Sequence, residues 1–262
     1  MPDLSILIVS HNKPRFAKAA VQTVLDQTHA NWQGILIDSG VLLDQGFFDY
    51  LKDPRLKVIP SGETPEIART KNMASWCFNR LLNSGQVTGE LIMYLNDDDL
   101  LYPEAFETYW NFYQQHDRVP QAMYASQDIG LVDPNGETQI IGRRHADRPG
   151  GRACKGRRLD CRVDYLQFCH TAKILDKFRE TYNTTQYHSE DKSDAHHADG
   201  VFMEQIGALT KVYNIDKVLS MNRRTAESAN LEYSASTFGR PLVTLREKLP
   251  GARERLSSRL RY

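Results

Sequence analysis

The stretch SILIVSHNKPRFAKAAVQTVLDQTHANWQGILIDSG, Ser5 to Gly40, holds two apolar runs separated by one amphipathic segment. LSILIVS, Leu4 to Ser10, is apolar over seven residues. A run of that length suits a strand buried on both faces of a parallel sheet. HNKP then interrupts it, and Pro14 can occupy the first turn of a helix. Phe16, Ala20, Val24 and Gln27 follow at helical spacing, with Val21 and Leu25 beside them. WQGILIDSG is a second strand, ending at Asp38-Ser39-Gly40.

Outward from this unit the alternation continues. LLDQGFFDYLKD reads as a short helix and RLKVIP as a third strand stopped by Pro60. TPEIARTKNMASWCFNRLLNSG opens with Thr, Pro and Glu and closes on Gly85, the start and stop signals of one helix. Ile67, Ala74, Cys77, Phe78 and Leu81 form its inner stripe. GELIMYL is a fourth strand. Strand and helix thus alternate from the start to about residue 100, which predicts an α/β fold with a mostly parallel sheet and helices on both faces. Ligands of such sheets bind beyond the carboxyl ends of the strands. Three strands end there in polar clusters: Ser10-His11-Asn12, Asp38-Ser39-Gly40 and Asn96 to Asp99.

The second half is less regular. PEAFETYWNFYQQH is a helix with an aromatic face. AMYASQDIGLVDPNGETQIIG predicts two strands around a turn at Asp133 to Gly136. HTAKILDKFRETY and HHADGVFMEQIGAL predict helices, and KVYNIDKVLSMNRR a last strand. The reading is one domain over 1–262, with a regular half at 1–103, a less regular half at 104–240 and a basic helical tail at 241–262.

Bulk properties narrow the class. The 262 residues carry 33 basic and 33 acidic side chains, so global charge predicts no nucleic-acid partner. No apolar run approaches the ~20 residues that span a bilayer. The first residues read as a strand, not a signal peptide, which makes cytoplasmic the expected location. Cys77, Cys154, Cys161 and Cys169 read as free thiols, and the last three with His170 lack the spacing of a zinc knuckle.

LNDDDLLYP, Leu95 to Pro103, places Asp97, Asp98 and Asp99 side by side. Three adjacent carboxylates repel one another unless water or a cation screens them. A solvated turn capping the next helix is one explanation; a metal-diphosphate site at the end of a parallel strand is the other. Hard divalent cations favour oxygen ligands and keep several waters, so one or two protein carboxylates suffice.

SILIVSHNKPRFAKAAVQTVLDQTHANWQGILIDSG, then ARTKN, then GELIMYLNDDDLLYPEAF together resemble an inverting family 2 glycosyltransferase of the GT-A fold, and within it the spore-coat polysaccharide synthesis branch. The likeness is densest from residue 4 to 106, and it implies that 1–103 is the nucleotide-sugar-binding half and 104–240 the acceptor-binding half. It implies transfer of a sugar from a nucleoside diphosphate, UDP or dTDP, to a saccharide or glycolipid acceptor in surface polysaccharide or glycoconjugate synthesis. It implies Mn2+ or Mg2+ as cofactor, with Asp98 as the direct ligand and Asp97 as a ribose or metal contact. Asp99 takes the trailing acidic position, and Asn96 stands where the family has its first carboxylate. Donor contacts fall on Val9, Ser10, Asn12, Asp38, Ser39, Arg69 and Lys71, with Asn96 and Asp97. Ser39 replaces an expected second Asp. His11, at a usual Tyr position, is expected on the pocket wall. The catalytic base falls on Asp199, with Ala198 replacing a usual Glu; a helix N-cap is its plain structural role.

The remaining features have competing readings. His196 and His197 could position the acceptor or do nothing specific. In Arg143 to Arg162, eight of twenty residues are Lys or Arg, and the segment lacks interleaved aromatics to stack on bases. A lid over a diphosphate or a dock for an anionic acceptor is expected there. The basic tail predicts peripheral contact with the inner membrane face. A sugar nucleotidyltransferase is disfavoured because SHNKPRF has no glycine. A catalytically degenerate nucleotide- or glycan-binding protein stays open through Ser39, Asn96 and Ala198.

Overall fold

The computed structural model describes residues 1–133, 135–145, 163–194 and 198–224. The Pro134 position, Cys154, Cys161, His196, His197, most of the basic 143–162 segment and the 241–262 tail lie outside them.

Four strands form the parallel block: β1 (Leu4–Ser10), β2 (Trp32–Asp38), β3 (Leu56–Pro60) and β4 (Leu91–Asn96). They stand in the order β3-β2-β1-β4, all neighbours parallel. β1 alternates strictly: Leu4, Ile6 and Ile8 face one core, Leu7 and Val9 the other. On the first side lie α1 (Pro14–Leu25), through Ala20, Val21 and Val24, and α4 (Ala105–Gln115), through Phe106, Tyr109 and Tyr113. On the second lie α3 (Met73–Asn83), α5 (Ala172–Tyr182) and α6 (Ala198–Leu209), through Phe78, Phe178 and Phe202. The result is the expected sheet between two helical layers.

The sheet then changes character. β8 (Phe168–Thr171) runs antiparallel to β4, and β6 (Ala122–Val132) antiparallel to β8. β6 is wholly buried and also carries β7 (Thr138–Arg144) antiparallel and β9 (Val212–Arg224) parallel. β5 (Leu100–Leu101) closes the far edge against β9.

Two expected helices differ. Residues 41–51 form irregular turns with hydrogen bonds of mixed span, Gln45 N to Val41 O, Gly46 N to Leu43 O and Phe47 N to Leu42 O. Gly46 sits at φ 70°, which a regular helix forbids. Leu42 and Phe48 still bury, so the stretch packs without being helical. The long helix over 64–85 is broken into α2 (Pro65–Thr70) and α3, with Lys71 extended between them. Its start is as expected, with the Thr64 side chain accepting from Ile67 N. The break has a tertiary cause: Asn72 N donates to Glu190 O (2.8 Å) and Lys71 pairs with Asp191 in a β-bridge.

Ile8 is fully buried at the centre of the sheet. Ile8→Ala should cost about 2–5 kcal/mol of unfolding free energy by urea titration. Ile140→Ala, on the exposed β7, should stay within about 0.5 kcal/mol. Equal losses at the two sites would contradict this placement of the core.

Candidate functional site

Register decides where the strand ends meet. Ser10 pairs with Asp38, Asp38 with Pro60, and Val9 with Asn96, so β1, β2, β3 and β4 stop at one level. Beyond them opens a cleft of about 650 Å³. Val9, His11, Ser39, Lys71 and Asn96 to Asp99 line it, together with Lys13, Asn72, Lys192 and Asn222 to Arg224.

The three aspartates have three different environments. His11 N donates to Asp97 Oδ2 (2.7 Å). Lys13 Nζ lies 2.6 Å from Asp98 Oδ2 and 3.7 Å from Asp97 Oδ1, so one ammonium serves both carboxylates. Burial would lower the Lys13 pKa, but Asp98 and Asp97 outweigh it and hold the amine above its usual range. Burial raises the Asp97 carboxyl against the pull of Lys13. Asp99 turns its Oδ1 to the end of β9, accepting from Asn222 Nδ2 and Arg223 N, both at 3.0 Å. Burial, then the Asp98 charge, push its carboxyl well above the usual range.

A divalent ion can be tested against these donors. Among the described residues no three His, Cys, Asp or Glu side chains gather as a metal cage. Two carboxylates do converge on one cation, the Lys13 ammonium, which stands in for a charge held by hard oxygens. That donor set fits an ion that keeps waters and phosphate oxygens as its other ligands. Cys169 is a buried free thiol and the neighbouring His170 is bonded to Tyr94.

The turn after β1 fixes the cleft's other wall. Asn12 takes φ 51°, a left-handed conformation that Asn tolerates better than most residues. Its Oδ1 accepts from Val41 N (2.9 Å). A Cβ on Gly40 would come within 2.2 Å of that oxygen, so a side chain there would push the Asn12 amide out of this position. His11 Nδ1 lies 2.8 Å from the Ser39 carbonyl, which can only accept, so Nδ1 carries a proton. Ser10 and Asp38 lie below the cleft floor, both buried; Asp38 Oδ2 accepts from Leu43 N (3.0 Å). Asn12 and Arg69 also do not line it.

The wall opposite is the α2–α3 break and the 187–192 segment. Lys71 Nζ pairs with Glu190 Oε2 (3.3 Å), and Lys192 Nζ donates to the Arg69 carbonyl (3.1 Å). Asn79 on α3 anchors the segment. It donates to His188 O and Glu190 Oε1 and accepts from Tyr187 N and His188 N. Asp199 is the second residue of α6, not its N-cap, and its Oδ1 accepts from Gly200 N (2.8 Å). It is not among the cleft-lining residues, but its charge reaches the buried Tyr165 phenol.

Lys13, Lys192, Asn222, Arg223 and Arg224 did not figure among the candidate site residues. Asn222 to Arg224 end β9, and the strand-end rule applied to the first four strands finds them when applied to the last.

A match to glycosyl transferase family 2 covers residues 5–155. The chain belongs to glycosyl transferase family 2. Protein CgeD of Bacillus subtilis is 26% identical over 235 residues, covering 88% of this chain and 52% of CgeD. An uncharacterized glycosyltransferase of Rickettsia conorii is 28% identical over 119 residues, 44% of this chain and 18% of that protein. The chain thus spans about half or less of the length of these curated relatives. Among solved structures, S. aureus TarS 1–349 with UDP-GlcNAc aligns at a TM-score of 0.58 and 12% identity, covering 86% of this chain and 59% of that one. The TarS 1–349 complex with UDP aligns at 0.57, covering 89% and 62%. At that identity the likeness is one of fold. Among the described residues no helix is long and apolar enough to cross a membrane.

Within the core, between β4 and β8, lies a fully buried polar pair. His170 Nδ1 donates to the Thr171 carbonyl (2.9 Å), so Nε2 accepts from the Tyr94 hydroxyl (2.7 Å). Burial lowers the His170 pKa from 6.5 to about 4. Between those values the unfolded imidazole binds a proton that the native one refuses, so stability falls as pH drops through the window. By pH 5 the loss from this group is about 2 kcal/mol. Urea denaturation at pH 7 and pH 5 should show the wild type losing more stability than His170→Gln. Equal losses would contradict a neutral buried imidazole.

Proposed function

We propose that this chain transfers a sugar from a nucleoside diphosphate to an acceptor hydroxyl with inversion at the anomeric carbon. The observation that carries this is the cleft itself: Asp97 and Asp98 converge on one cation, and Lys71, Arg223 and Arg224 line the same space. A diphosphate needs that mixture of cations and metal-holding carboxylates. TarS 1–349 has been crystallised with UDP-GlcNAc and with UDP, which supports UDP as the first donor to try. dTDP is the next.

Asp98, with Asp97, would hold Mn2+ or Mg2+, and the ion when bound would neutralise charge on the departing diphosphate. The chain's own groups do the rest. Val9, His11 and Ser39 form the wall against which the nucleoside lies. Lys13 and Lys71 reach the phosphates, Lys13 by letting go of Asp98. Asp199 accepts the acceptor's hydroxyl proton while the oxygen attacks from the face opposite the leaving group. Its support is its place in the first turn of α6, where the helix dipole favours an ionised carboxylate, the form a general base needs. The acceptor is a saccharide or glycolipid of surface polysaccharide synthesis, met at the inner membrane face.

A second reading, nucleotide binding without turnover, draws on Asn96 at the first carboxylate position and on the Lys13 ammonium already bound to Asp98. The two readings separate in one set of experiments. Mn2+-dependent UDP binding by calorimetry should fall at least tenfold in Asp98→Ala. Asp199→Asn should keep UDP affinity and lose about 10²–10⁴-fold in the rate of UDP release from donor plus acceptor. A fully active Asp199→Asn would refute the base assignment. Tight UDP binding with no release from any donor would favour the second reading.

A further inference from the structure

Lys13 is the last residue before α1, and its backbone is fixed there. Its carbonyl accepts from Phe16 N (3.0 Å) and Ala17 N (2.9 Å). Its side chain crosses to the end of β4, where the ammonium donates to Asp98 Oδ2 (2.6 Å), 85 residues further on, and lies 3.7 Å from Asp97 Oδ1. Asn96 adds no charge beside the pair. The two carboxylates together match one dication; with the ammonium in place, a single negative charge is left to attract it.

An ammonium and a hard divalent ion ask for the same partners, carboxylate oxygens at short range. On the same oxygen the two cations would repel at close quarters. The lysine is the one that can yield. Its side chain is 36% exposed and hangs on a flexible four-carbon stem, so it can leave while the backbone of α1 stays where it is. The aspartate turn does not depend on it alone, because His11 N holds Asp97 Oδ2 separately (2.7 Å).

We propose that Lys13 is a resident counter-ion: it occupies the cation position between Asp97 and Asp98 and competes with the divalent ion, which binds there only as Lys13 swings out. This rests on the reading that Asp97 and Asp98 hold the ion. It goes beyond that reading by making the apparent metal affinity a property of Lys13, since the competent state is the one in which the lysine has left. The same contact keeps the two carboxylates neutralised in the metal-free chain.

The test is calorimetric titration of the full chain with Mn2+ alone, for wild type, Lys13→Met and Lys71→Gln. Lys13→Met should bind Mn2+ about tenfold tighter or more. Lys71→Gln removes a cleft cation that is paired with Glu190 instead, and should stay within about threefold of the wild type. Equal tightening in the two variants would mean a general effect of cleft charge and overturns the proposal, as does an unchanged affinity in Lys13→Met. A second measurement needs no variant. Acetylation of the wild type, followed by mass spectrometry, should modify Lys13 about threefold faster or more with saturating Mn2+, because the released amine is no longer bonded to Asp98. The exposed Lys18 should react at the same rate with and without the ion. A Lys13 rate that Mn2+ leaves unchanged overturns the proposal. Mn2+ binding of equal strength in wild type and Lys13→Met removes the competition and leaves the metal reading standing; no binding in either removes both.

Discussion

Asp99 accepts hydrogen bonds from the Asn222 side chain and the Arg223 amide, more than a hundred residues later in the chain. This contact joins the end of the parallel block to the end of the last strand. Without it Asp97 and Asp98 would end a strand with nothing opposite them. With it, β9 brings Asn222, Arg223 and Arg224 to the rim of a cleft whose floor is built by β1, β2 and β4. The Asp99 carboxyl is fully buried, and its neighbour Asp98 repels it. Two donors aimed at one oxygen make that position tolerable. The three aspartates coexist because each is met by donors: the His11 amide and a share of Lys13 at Asp97, Lys13 at Asp98, and the β9 end at Asp99.

The parallel half was legible because its signals are local. LSILIVS and LIMYL are buried on both faces and read as uninterrupted apolar runs. Phe16 to Val24 repeats at helical spacing over a continuous core. What escaped was set by distant partners. Nothing near Lys71 forbids a helix through residues 64–85; Glu190 and Asp191 break it from over a hundred residues away. The antiparallel half hides for a related reason. β6 is wholly buried although its sequence includes Ser126, Gln127 and Asp128, whose polarity suggests exposure. Tyr102 donates to Asp128 (2.7 Å) and Gln127 Nε2 to Asp164, so burial comes with partners that only the fold supplies.

The same distinction runs through the site. His11 and Ser39 are consecutive with strand ends, and parallel register brings them together, as a sequence reading anticipates. Lys13 looks like an ordinary residue before a helix. Its importance depends on Asp97 and Asp98 lying within 3.7 and 2.6 Å, across a gap of more than eighty residues. Gly40 shows how narrow the fit is. It follows the second strand end, and its missing side chain lets the Asn12 amide cap the turn that presents His11.

The wall across from the aspartates is built on another principle. The 187–192 segment is carried chiefly by polar bonds, four of them to the single amide of Asn79, which satisfies its donors and both lone pairs of its oxygen. Beneath it Tyr165 bonds to His188 and the ring of His188 packs against Phe202, so the base of the segment is rigid. Its rim is not: Lys71 and Lys192 reach only Glu190 and a carbonyl across the α2–α3 break. Exposed bonds of that kind contribute little and exchange readily with water or ligand. The two lysines thus sit on a rim of weak, exposed bonds while Asn79 holds the backbone beneath them. The interruption at Lys71 therefore places an extended backbone, bridged to Asp191, beside an ammonium that is paired with Glu190 at the edge of the cleft.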